Sequence, residues 1–168
     1  VVCEAIEQIM GKTPQIKWVN DLFLDGKKIC GILTEGAFTS NGQLDYVIVG
    51  IGINLYPPKE GFPTDIENIA GAVISNNNED KRAELIARIL QVLANRLETF
   101  FTKDFVSLYR AKSLVIGKEV TVILGESQKS ATVLDINDNC ELVVRCENGE
   151  TDVLSSGEIK LLSGSFGS

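Results

Sequence analysis

The sequence contains no histidine, and it has one tryptophan and one methionine among its 168 residues. Without an imidazole, the chain lacks the commonest metal ligand and a frequent general base of enzymes. Basic residues are also scarce, because 16 lysines and arginines stand against 23 aspartates and glutamates, giving a net charge of −7. This balance argues against a surface that binds the phosphate backbone of nucleic acids.

Long apolar runs and a basic leader are also missing, so the sequence predicts neither a membrane span nor a signal peptide. The four cysteines, at positions 3, 30, 140 and 146, have no zinc-ligand spacing and no histidine to complete a site. We interpret them as buried free thiols of a reducing compartment and expect a cytoplasmic protein. With 44% hydrophobic residues, the chain can bury the core of one or two domains.

Periodicity and turn residues predict the first elements of the chain. Residues 1–10 carry one apolar helical stripe and are followed by Gly11, a typical C-terminal cap. Residues 15–35 are strand-like on both sides of Asp25-Gly26, a pair that favours a two-residue hairpin turn.

The middle of the chain combines one long strand with helices. Residues 44–55 form a nearly continuous β-branched run, which predicts a central strand covered on both faces. After a proline-rich loop, Asp65 can cap a short helix over 66–73 that the asparagine run 76–78 would end. Apolar residues spaced by three and four over 80–101 predict an amphipathic helix.

The composition changes near residue 114. A short helix is predicted over 105–113, and alternating strands separated by turn sequences follow it. We expect these strands to form a small barrel of SH3-like size over 115–162, with domain boundaries at 1–113 and 114–163. The strands are predicted within residues 118–124, 129–137, 140–146 and 150–162.

The hairpin turn fixes a cross-strand register. It makes Asp21 and Lys28 diagonal neighbours, about 7–8 Å apart at the backbone and within reach of the lysine side chain. The predicted cross-strand pairs are Leu24–Lys27, Phe23–Lys28 and Asp21–Cys30.

Lys17, Asp21 and Lys28 are predicted to share one face of the hairpin. An ordinary surface ion pair, worth about 0–1 kcal/mol, would explain this pattern. Two ammonium groups beside a carboxylate would equally suit a phosphate or carboxylate ligand. The residues alone leave both interpretations open.

Two segments resemble the catalytic domain of biotin protein ligases: "IKWVNDLFLDGKKICGILTE" at 16–35 and "YVIVGIGINLYPP" at 46–58. The motifs of that family run Lys-Trp-Pro-Asn-Asp, Lys-hydrophobic-x-Gly-Ile-Leu and Gly-x-Gly-hydrophobic-Asn, in this order. The resemblance continues through the long helix to the small C-terminal barrel. It implies an α+β fold: a mixed sheet flanked by helices, of the class II synthetase-like kind, followed by an SH3-like β-barrel.

The resemblance also implies roles for individual residues. Lys28 falls on the lysine that lies beside the biotin carboxylate and the α-phosphate, and Asp21 becomes a catalytic candidate that orients Lys28 or holds a phosphate-bound Mg²⁺. Asn54 falls on the asparagine that reads adenine. The implied biotin-binding residues are Lys28, Gly31, Leu33, Gly50 and Gly52, and the implied ATP-binding residues are Lys17, Asn20, Asp21 and Asn54.

The residues alone also permit simpler interpretations of these positions. Gly50 and Gly52 fit a tightly packed strand, and Asn54 fits a strand-end cap. Strict alternation places Gly31 and Leu33, two of the implied biotin-binding residues, on the opposite face from Lys28, and a β-bulge near residue 30 or 31 would resolve that conflict.

Two departures from the family pattern stand out. Val19 occupies the position of the motif's proline, which changes a backbone constraint and no chemistry. The Gly-Arg-Gly-Arg-x-Gly loop of the family is not found in this sequence and is expected upstream of residue 1. We therefore expect the 168-residue chain to be incomplete and inactive by itself.

The implied function is that of an enzyme that forms biotinyl-5′-adenylate from biotin and ATP with Mg²⁺ and biotinylates a lysine of a carboxylase carrier domain. The nearest alternative is a lipoate-protein ligase. A second alternative is a non-catalytic module whose barrel and sheet edge bind proteins, and an open sheet edge also predicts homodimerisation. The sequence does not identify the acceptor carboxylase.

Overall fold

The computed structural model describes residues 1–75 and 79–161. The asparagine run 76–78 and the predicted boundaries at 162 and 163 lie outside the described residues. The described part is a mixed α+β fold with two antiparallel sheets.

Three α-helices, one 3-10 helix and nine strands follow one another along the described chain. They belong to two compact units, one of Asn20–Asp80 and one that combines Val1–Val19 with the chain from Lys81 onward. In order the elements are α1 (Val2–Met10), β1 (Gln15–Lys17), β2 (Asp21–Leu24), β3 (Lys27–Phe38), β4 (Leu44–Ile53), α2 (Arg82–Glu98), the 3-10 helix (Phe100–Thr102), α3 (Phe105–Ala111), β5 (Glu119–Leu124), β6 (Ser127–Ile136), β7 (Leu142–Cys146), β8 (Thr151–Leu154) and β9 (Glu158–Leu161).

A tight hairpin joins β2 and β3. Asp25 and Gly26 have φ angles of 51° and 74°, and a type I′ turn requires positive values at both central positions. The predicted hairpin is confirmed. Two of the predicted cross-strand pairs are also confirmed, Leu24–Lys27 and Phe23–Lys28.

Strand β4 pairs antiparallel with β3 at an edge of its sheet. The predicted strand is confirmed, but the prediction that both of its faces are covered is wrong. Val47, Ile48 and Val49 are 45%, 56% and 55% exposed. A β-branched run is typical of a covered strand, yet it does not determine how many strands or layers lie beside it.

The short helix predicted over 66–73 is wrong, because residues 64–69 form successive turns. Ile66 donates its backbone N–H to the Pro63 carbonyl, which begins a helical turn. At Ala70 the chain forms a parallel bridge with Lys28 instead. The Ile69 carbonyl and the Gly71 N–H bond to the backbone of Lys28, so they are not available for the internal hydrogen bonds of a continuing helix.

Helices α1 and α2 contact each other within their unit, and both were predicted. Ile6 of α1 and Ile89 of α2 are buried on the apolar faces. An ion pair of 3.0 Å joins Glu4 to Arg96. Gly11 ends α1 with φ of 62° and donates its N–H to a carbonyl one turn back, as a left-handed cap does.

The C-terminal strands form one antiparallel sheet in the order β8-β7-β6-β5-β9, and the last predicted strand segment is divided into β8 and β9. In the described residues β8 and β9 are the two edges, so a closed barrel is not observed. The core beside this sheet includes Val120, Val133 and Val144 together with Trp18, which is 3% exposed. An aromatic side chain from near the start of the chain thus belongs to the core of the last sheet.

All four cysteines are free thiols, as predicted. Cys3 and Cys30 are buried, whereas Cys140 and Cys146 are partly exposed, so the predicted burial holds for two of them. Burial raises the pKa of Cys3. Among the described residues, none of the helices is long and apolar enough to cross a membrane.

Candidate active site

A β-bulge interrupts the pairing of β2 with β3. Phe23 lies opposite Lys28, but Leu22 lies opposite Cys30. Ile29 is therefore the extra residue on β3. The predicted bulge is confirmed, beside the position expected from the sequence.

The bulge brings Gly31 to the face that carries Lys28. Ile29 and Cys30 are buried in succession, at 0% and 2% exposure, so the residue after them returns to the outer face. Asp21 lies opposite Gly31, and the predicted pairing of Asp21 with Cys30 is wrong because strict alternation did not include the extra residue.

Asp21 and Lys28 form an ion pair on this face. The distance between Asp21 Oδ1 and Lys28 Nζ is 2.6 Å, and the two side chains are 21% and 40% exposed. A pair this exposed contributes about 0–1 kcal/mol to stability, and it places the ammonium beside the carboxylate on this face. A Cβ added to Gly31 would lie 3.5 Å from the carboxylate oxygen and 3.6 Å from the ammonium nitrogen, which places the glycine beside the pair.

Glycines lie opposite the predicted biotin-binding residues on the neighbouring strand. Gly31 pairs with Gly52, and Leu33 pairs with Gly50. A Cβ added to Gly52 would lie 3.7 Å from the Gly31 carbonyl oxygen, and one added to Gly50 would lie 3.8 Å from the Leu33 carbonyl oxygen. Both distances are ordinary van der Waals contacts. Tight strand packing therefore does not require glycine at either position, and the missing side chains leave a flat, open floor.

An open cavity of about 500 Å³ lies over this floor. It contains seven of the residues singled out in the sequence: Asn20, Asp21, Lys28, Gly31, Leu33, Gly50 and Gly52. Ile32 and Ile51 also line it. The two isoleucines were not predicted as site residues. They form a cross-strand pair between the Gly31–Gly52 and Leu33–Gly50 pairs, so the register of β3 and β4 would have been the signal for finding them.

Asn20 fastens the beginning of β2 to β3. Its side-chain amide donates a hydrogen bond to the Ile32 carbonyl, and its own backbone carbonyl accepts one from the Ile32 N–H at 3.0 Å. These two hydrogen bonds hold Asn20, the residue that precedes Asp21, against β3. Lys17, the remaining cation predicted for the site, ends β1 in the other unit.

Asn54 follows the last residue of β4 and is outside the residues that line the cavity. Its backbone N–H donates to the Ile29 carbonyl and its carbonyl accepts from the Val73 N–H, both at 2.8 Å. These backbone bonds agree with a strand-end position. The residue itself is exposed.

In the described ranges 1–75 and 79–161, no group of three or more acidic, cysteine or histidine side chains is arranged to hold a metal ion. Asp21 is the carboxylate among the residues that line the cavity. A hard cation such as Mg²⁺ is commonly bound by one or two carboxylates together with substrate phosphates.

Two protein-family models match the chain. The model of the biotin/lipoate A/B protein ligase family matches residues 1–54. The model of the biotin protein ligase C terminal domain matches residues 115–162. The first model covers both kinds of ligase, and the second is named for biotin ligases alone.

Curated relatives of the chain include ligases. The bifunctional ligase/repressor BirA of Bacillus subtilis (strain 168) is 30% identical over 159 residues, which are 92% of this chain and 49% of that protein. The biotin–[acetyl-CoA-carboxylase] ligase of Mycobacterium tuberculosis is 29% identical over 147 residues, 86% of this chain and 52% of that protein. The chain spans about half the length of these relatives.

Solved structures extend the match to the fold. The biotin protein ligase from Aquifex aeolicus in complex with biotin and ATP is 28% identical, with a TM-score of 0.76 over 96% of this chain and 67% of that one. Its apo structure has a TM-score of 0.78 at 29% identity, over 96% of this chain and 70% of that one. The chain is similar to the biotin protein ligases in both matched regions and in its fold.

The sequence had indicated most of the residues that line the cavity but not the segment 69–74, which pairs with Lys28. Backbone groups of residues 69–74 bond to Lys28, Asn54 and Leu55. No motif marked this segment, because its contacts are made by the backbone. Gly71 was the available signal, since a glycine next to apolar residues indicates a close backbone approach.

Proposed function

We propose that this chain acts in the activation of biotin with ATP and in the transfer of biotin to a carrier protein. The observation that carries the proposal is the Asp21–Lys28 pair, which borders an open cavity with a glycine floor. The similarity to a ligase solved with biotin and ATP supports it.

In the proposed first step, a carboxylate oxygen of biotin attacks the α-phosphorus of ATP. A new P–O bond forms, the bond to the β-phosphate oxygen breaks, and pyrophosphate leaves with that electron pair, giving biotinyl-5′-adenylate. Negative charge grows on the α-phosphate oxygens in the transition state. The Lys28 ammonium would stabilise this charge more than it stabilises the ground state, while Asp21 holds the ammonium in place.

In the proposed second step, the ε-amine of an acceptor lysine attacks the activated carboxyl carbon. An amide bond forms, the attacking nitrogen releases one proton to solvent, the C–O bond to the phosphate breaks, and AMP leaves with that electron pair. The acceptor is proposed to be the carrier domain of a carboxylase, as the name of the relative from Mycobacterium tuberculosis suggests.

Biotin is proposed to lie on the glycine floor. Gly50 and Gly52 let a ligand approach the backbone, Gly31 leaves room beside the ion pair, and Leu33, which is 61% exposed, offers an apolar contact. The carboxylate of biotin would then point towards Lys28. This arrangement matches the apolar alkyl chain of biotin, which ends in a single carboxylate.

ATP is proposed to bind through Lys17, Asn20, Asp21 and Asn54, with Mg²⁺ carried on its phosphates. The amide of Asn54 offers one acceptor and two donors, which complement the donor–acceptor edge of adenine. As an alternative to orienting Lys28, Asp21 would contact this phosphate-bound Mg²⁺.

The wider setting is also a proposal. We place the protein in the cytoplasm and treat residues 1–113 as class II synthetase-like catalytic-domain sequence and 114–163 as an SH3-like barrel. The exposed edge of β4 is a candidate for pairing with a second copy, because an unpaired strand edge offers free backbone donors and acceptors.

Biotin-dependent isotope exchange between pyrophosphate and ATP tests the proposal. We expect the complete protein to catalyse exchange with biotin and not with lipoate. Exchange with lipoate alone would favour the lipoate ligase, which the broader family model at residues 1–54 includes. Absence of exchange with both acids would favour a non-catalytic interaction module.

A further inference from the structure

Residues 69–74, which we call the strap, run alongside the segment that carries Lys28. The Lys28 N–H donates to the Ile69 carbonyl at 2.7 Å, and the Gly71 N–H donates to the Lys28 carbonyl at 2.9 Å. Both backbone groups of Lys28 are therefore bonded to the strap. Phe23 lies opposite Lys28 on β2, so the strap occupies the other side of this residue.

The strap continues to the end of β4. The Val73 N–H donates to the Asn54 carbonyl at 2.8 Å, and the Ile74 N–H donates to the Leu55 carbonyl at 2.9 Å. The Val73 side chain is completely buried, which anchors this end. One short segment thus ties the backbone of Lys28 to the backbone of Asn54.

Gly71 lies where the strap is closest to β3. A Cβ added to Gly71 would lie 2.5 Å from Lys27 Cβ and 3.3 Å from Lys27 Cγ. Carbon atoms in contact are normally about 3.5–4.0 Å apart, so an alanine requires a displacement of about 1 Å. The Lys27 Cβ is attached directly to the backbone, and a rotamer change cannot remove this contact.

The displacement would act on the residue next to Lys27. Lys27 also donates from Nζ to the carbonyl of Glu67, two residues before the strap, at 2.8 Å, which holds its side chain in place. Any shift that separates Lys27 from residue 71 stretches the two hydrogen bonds between the strap and Lys28. In enzymes, misplacement of a reacting group by about 1 Å can cost about 10²-fold in rate.

We propose that Gly71 is a positioning residue of the ligase: its missing side chain lets the strap pair with Lys28 and so sets where the Lys28 ammonium stands. This inference rests on the proposed function of Lys28. Gly71 contacts no substrate in this scheme and acts through the backbone of Lys28.

Four forms of the complete protein test it: wild type, Gly71→Ala, Gly71→Ala with Lys27→Gly, and Gly71→Ala with Lys27→Ala. The glycine at 27 removes the clashing Cβ, whereas the alanine keeps it and removes the rest of the side chain. We expect Gly71→Ala to lower kcat of biotin-dependent pyrophosphate–ATP exchange by about 10- to 100-fold, with smaller changes in KM for biotin and ATP. Lys27→Gly should restore most of the lost kcat, and Lys27→Ala should not.

Three results would overturn the positioning role: a kcat for Gly71→Ala within about twofold of wild type, no rescue by Lys27→Gly, or equal rescue by both changes at 27. Thermal unfolding of each variant, followed by circular dichroism, shows whether it remains folded. If Gly71→Ala does not fold, amide hydrogen exchange of the wild type is measured instead. Slow exchange at the Lys28 and Gly71 amides, together with activity of the Gly71→Ala, Lys27→Gly double variant, would support the proposal. Fast exchange at either amide, or an inactive double variant, would overturn it.

The failure of the proposed function would look different. In that case the wild type shows no biotin-dependent exchange at all. Amide exchange and unfolding of the wild type and the three variants would still report the pairing between the strap and Lys28. The two ideas therefore fail through different measurements.

Discussion

The indole Nε1 of Trp18 donates a hydrogen bond of 2.9 Å to the carbonyl of Cys140. The ring is buried in the core beside the C-terminal sheet. One residue further along, the Val19 carbonyl accepts a hydrogen bond of 2.7 Å from the Tyr109 hydroxyl. The tryptophan of the Lys-Trp-x-Asn-Asp motif is thus a core residue in this protein, whereas the Asn20 and Asp21 that follow it line the cavity.

Trp18→Ala should destabilise the protein strongly, because it removes a large buried ring and leaves a cavity. We expect a loss of about 3–5 kcal/mol in the free energy of unfolding, measured by urea denaturation and circular dichroism. Phe101→Ala is the matched control, since its ring is 94% exposed, and should change stability by less than about 0.5 kcal/mol. Similarly small effects of both substitutions would contradict the assignment of Trp18 to the core.

Gly52→Val should separate stability from ligand binding. A Cβ at this position meets nothing closer than 3.7 Å, so the unfolding free energy should not fall. The added side chain would project from the glycine floor and weaken biotin binding by about 10- to 200-fold, as isothermal titration calorimetry can measure. A marked loss of stability with unchanged biotin affinity would instead indicate that Gly52 serves strand packing.

Asn54→Ala should raise the ATP concentration needed for exchange and relax the preference for adenine over guanine. The reason is that the proposed amide contact is with the base and not with the reacting phosphate. KM for ATP and GTP provides the measurement, and Asn41→Ala, in the turn between β3 and β4, is the control. An unchanged nucleotide preference would leave Asn54 as a strand-end residue.

Stability should fall at alkaline pH in part through Tyr109. Burial raises the pKa of this phenol above its usual value of about 10. The unfolded chain then loses the proton first, so the contribution is fully present below about pH 10 and is lost as the pH rises towards the folded pKa.

Tyr109→Phe tests that contribution. The substitution should reduce the downward slope of unfolding free energy above pH 10 by at most about 1.4 kcal/mol per pH unit. The loss of the bond to Val19 lowers stability at every pH, so the slope and not the level is the test. The fluorescence of Trp18, the one tryptophan in the sequence, can follow unfolding in both proteins. Equal slopes would contradict the shift.

Local sequence signals predicted the elements that local chemistry determines. Asp25-Gly26 specified the hairpin because both positions need positive φ, and Gly11 marked the end of α1 for the same reason. The spacing of Leu85 and Ile89 predicted the buried face of α2. The family motifs added most of the cavity, from Asp21 and Lys28 to the glycines of β4.

Long-range pairing accounts for what the sequence did not predict. The bulge at Ile29 depends on which residue of β2 meets β3, and the turn signal alone does not include it. The exposed faces of β4 depend on which elements lie beside the strand, not on its own β-branched residues. The strap replaced a predicted helix because Lys28, distant in sequence, offers its backbone to Ile69 and Gly71.

The most direct test of the account compares Lys28→Ala with Lys27→Ala in the complete protein. Both substitutions remove one positive charge from neighbouring positions of β3, but only the ammonium of Lys28 pairs with Asp21 and lines the cavity. The measurement is kcat of biotin-dependent pyrophosphate–ATP exchange, together with the dissociation constant for ATP. We predict that Lys28→Ala lowers kcat by about 10²–10³-fold and weakens ATP binding far less, while Lys27→Ala stays within a few-fold of wild type. Equal losses in the two variants, or a loss for Lys28→Ala that is as large in ATP binding as in kcat, would contradict the account.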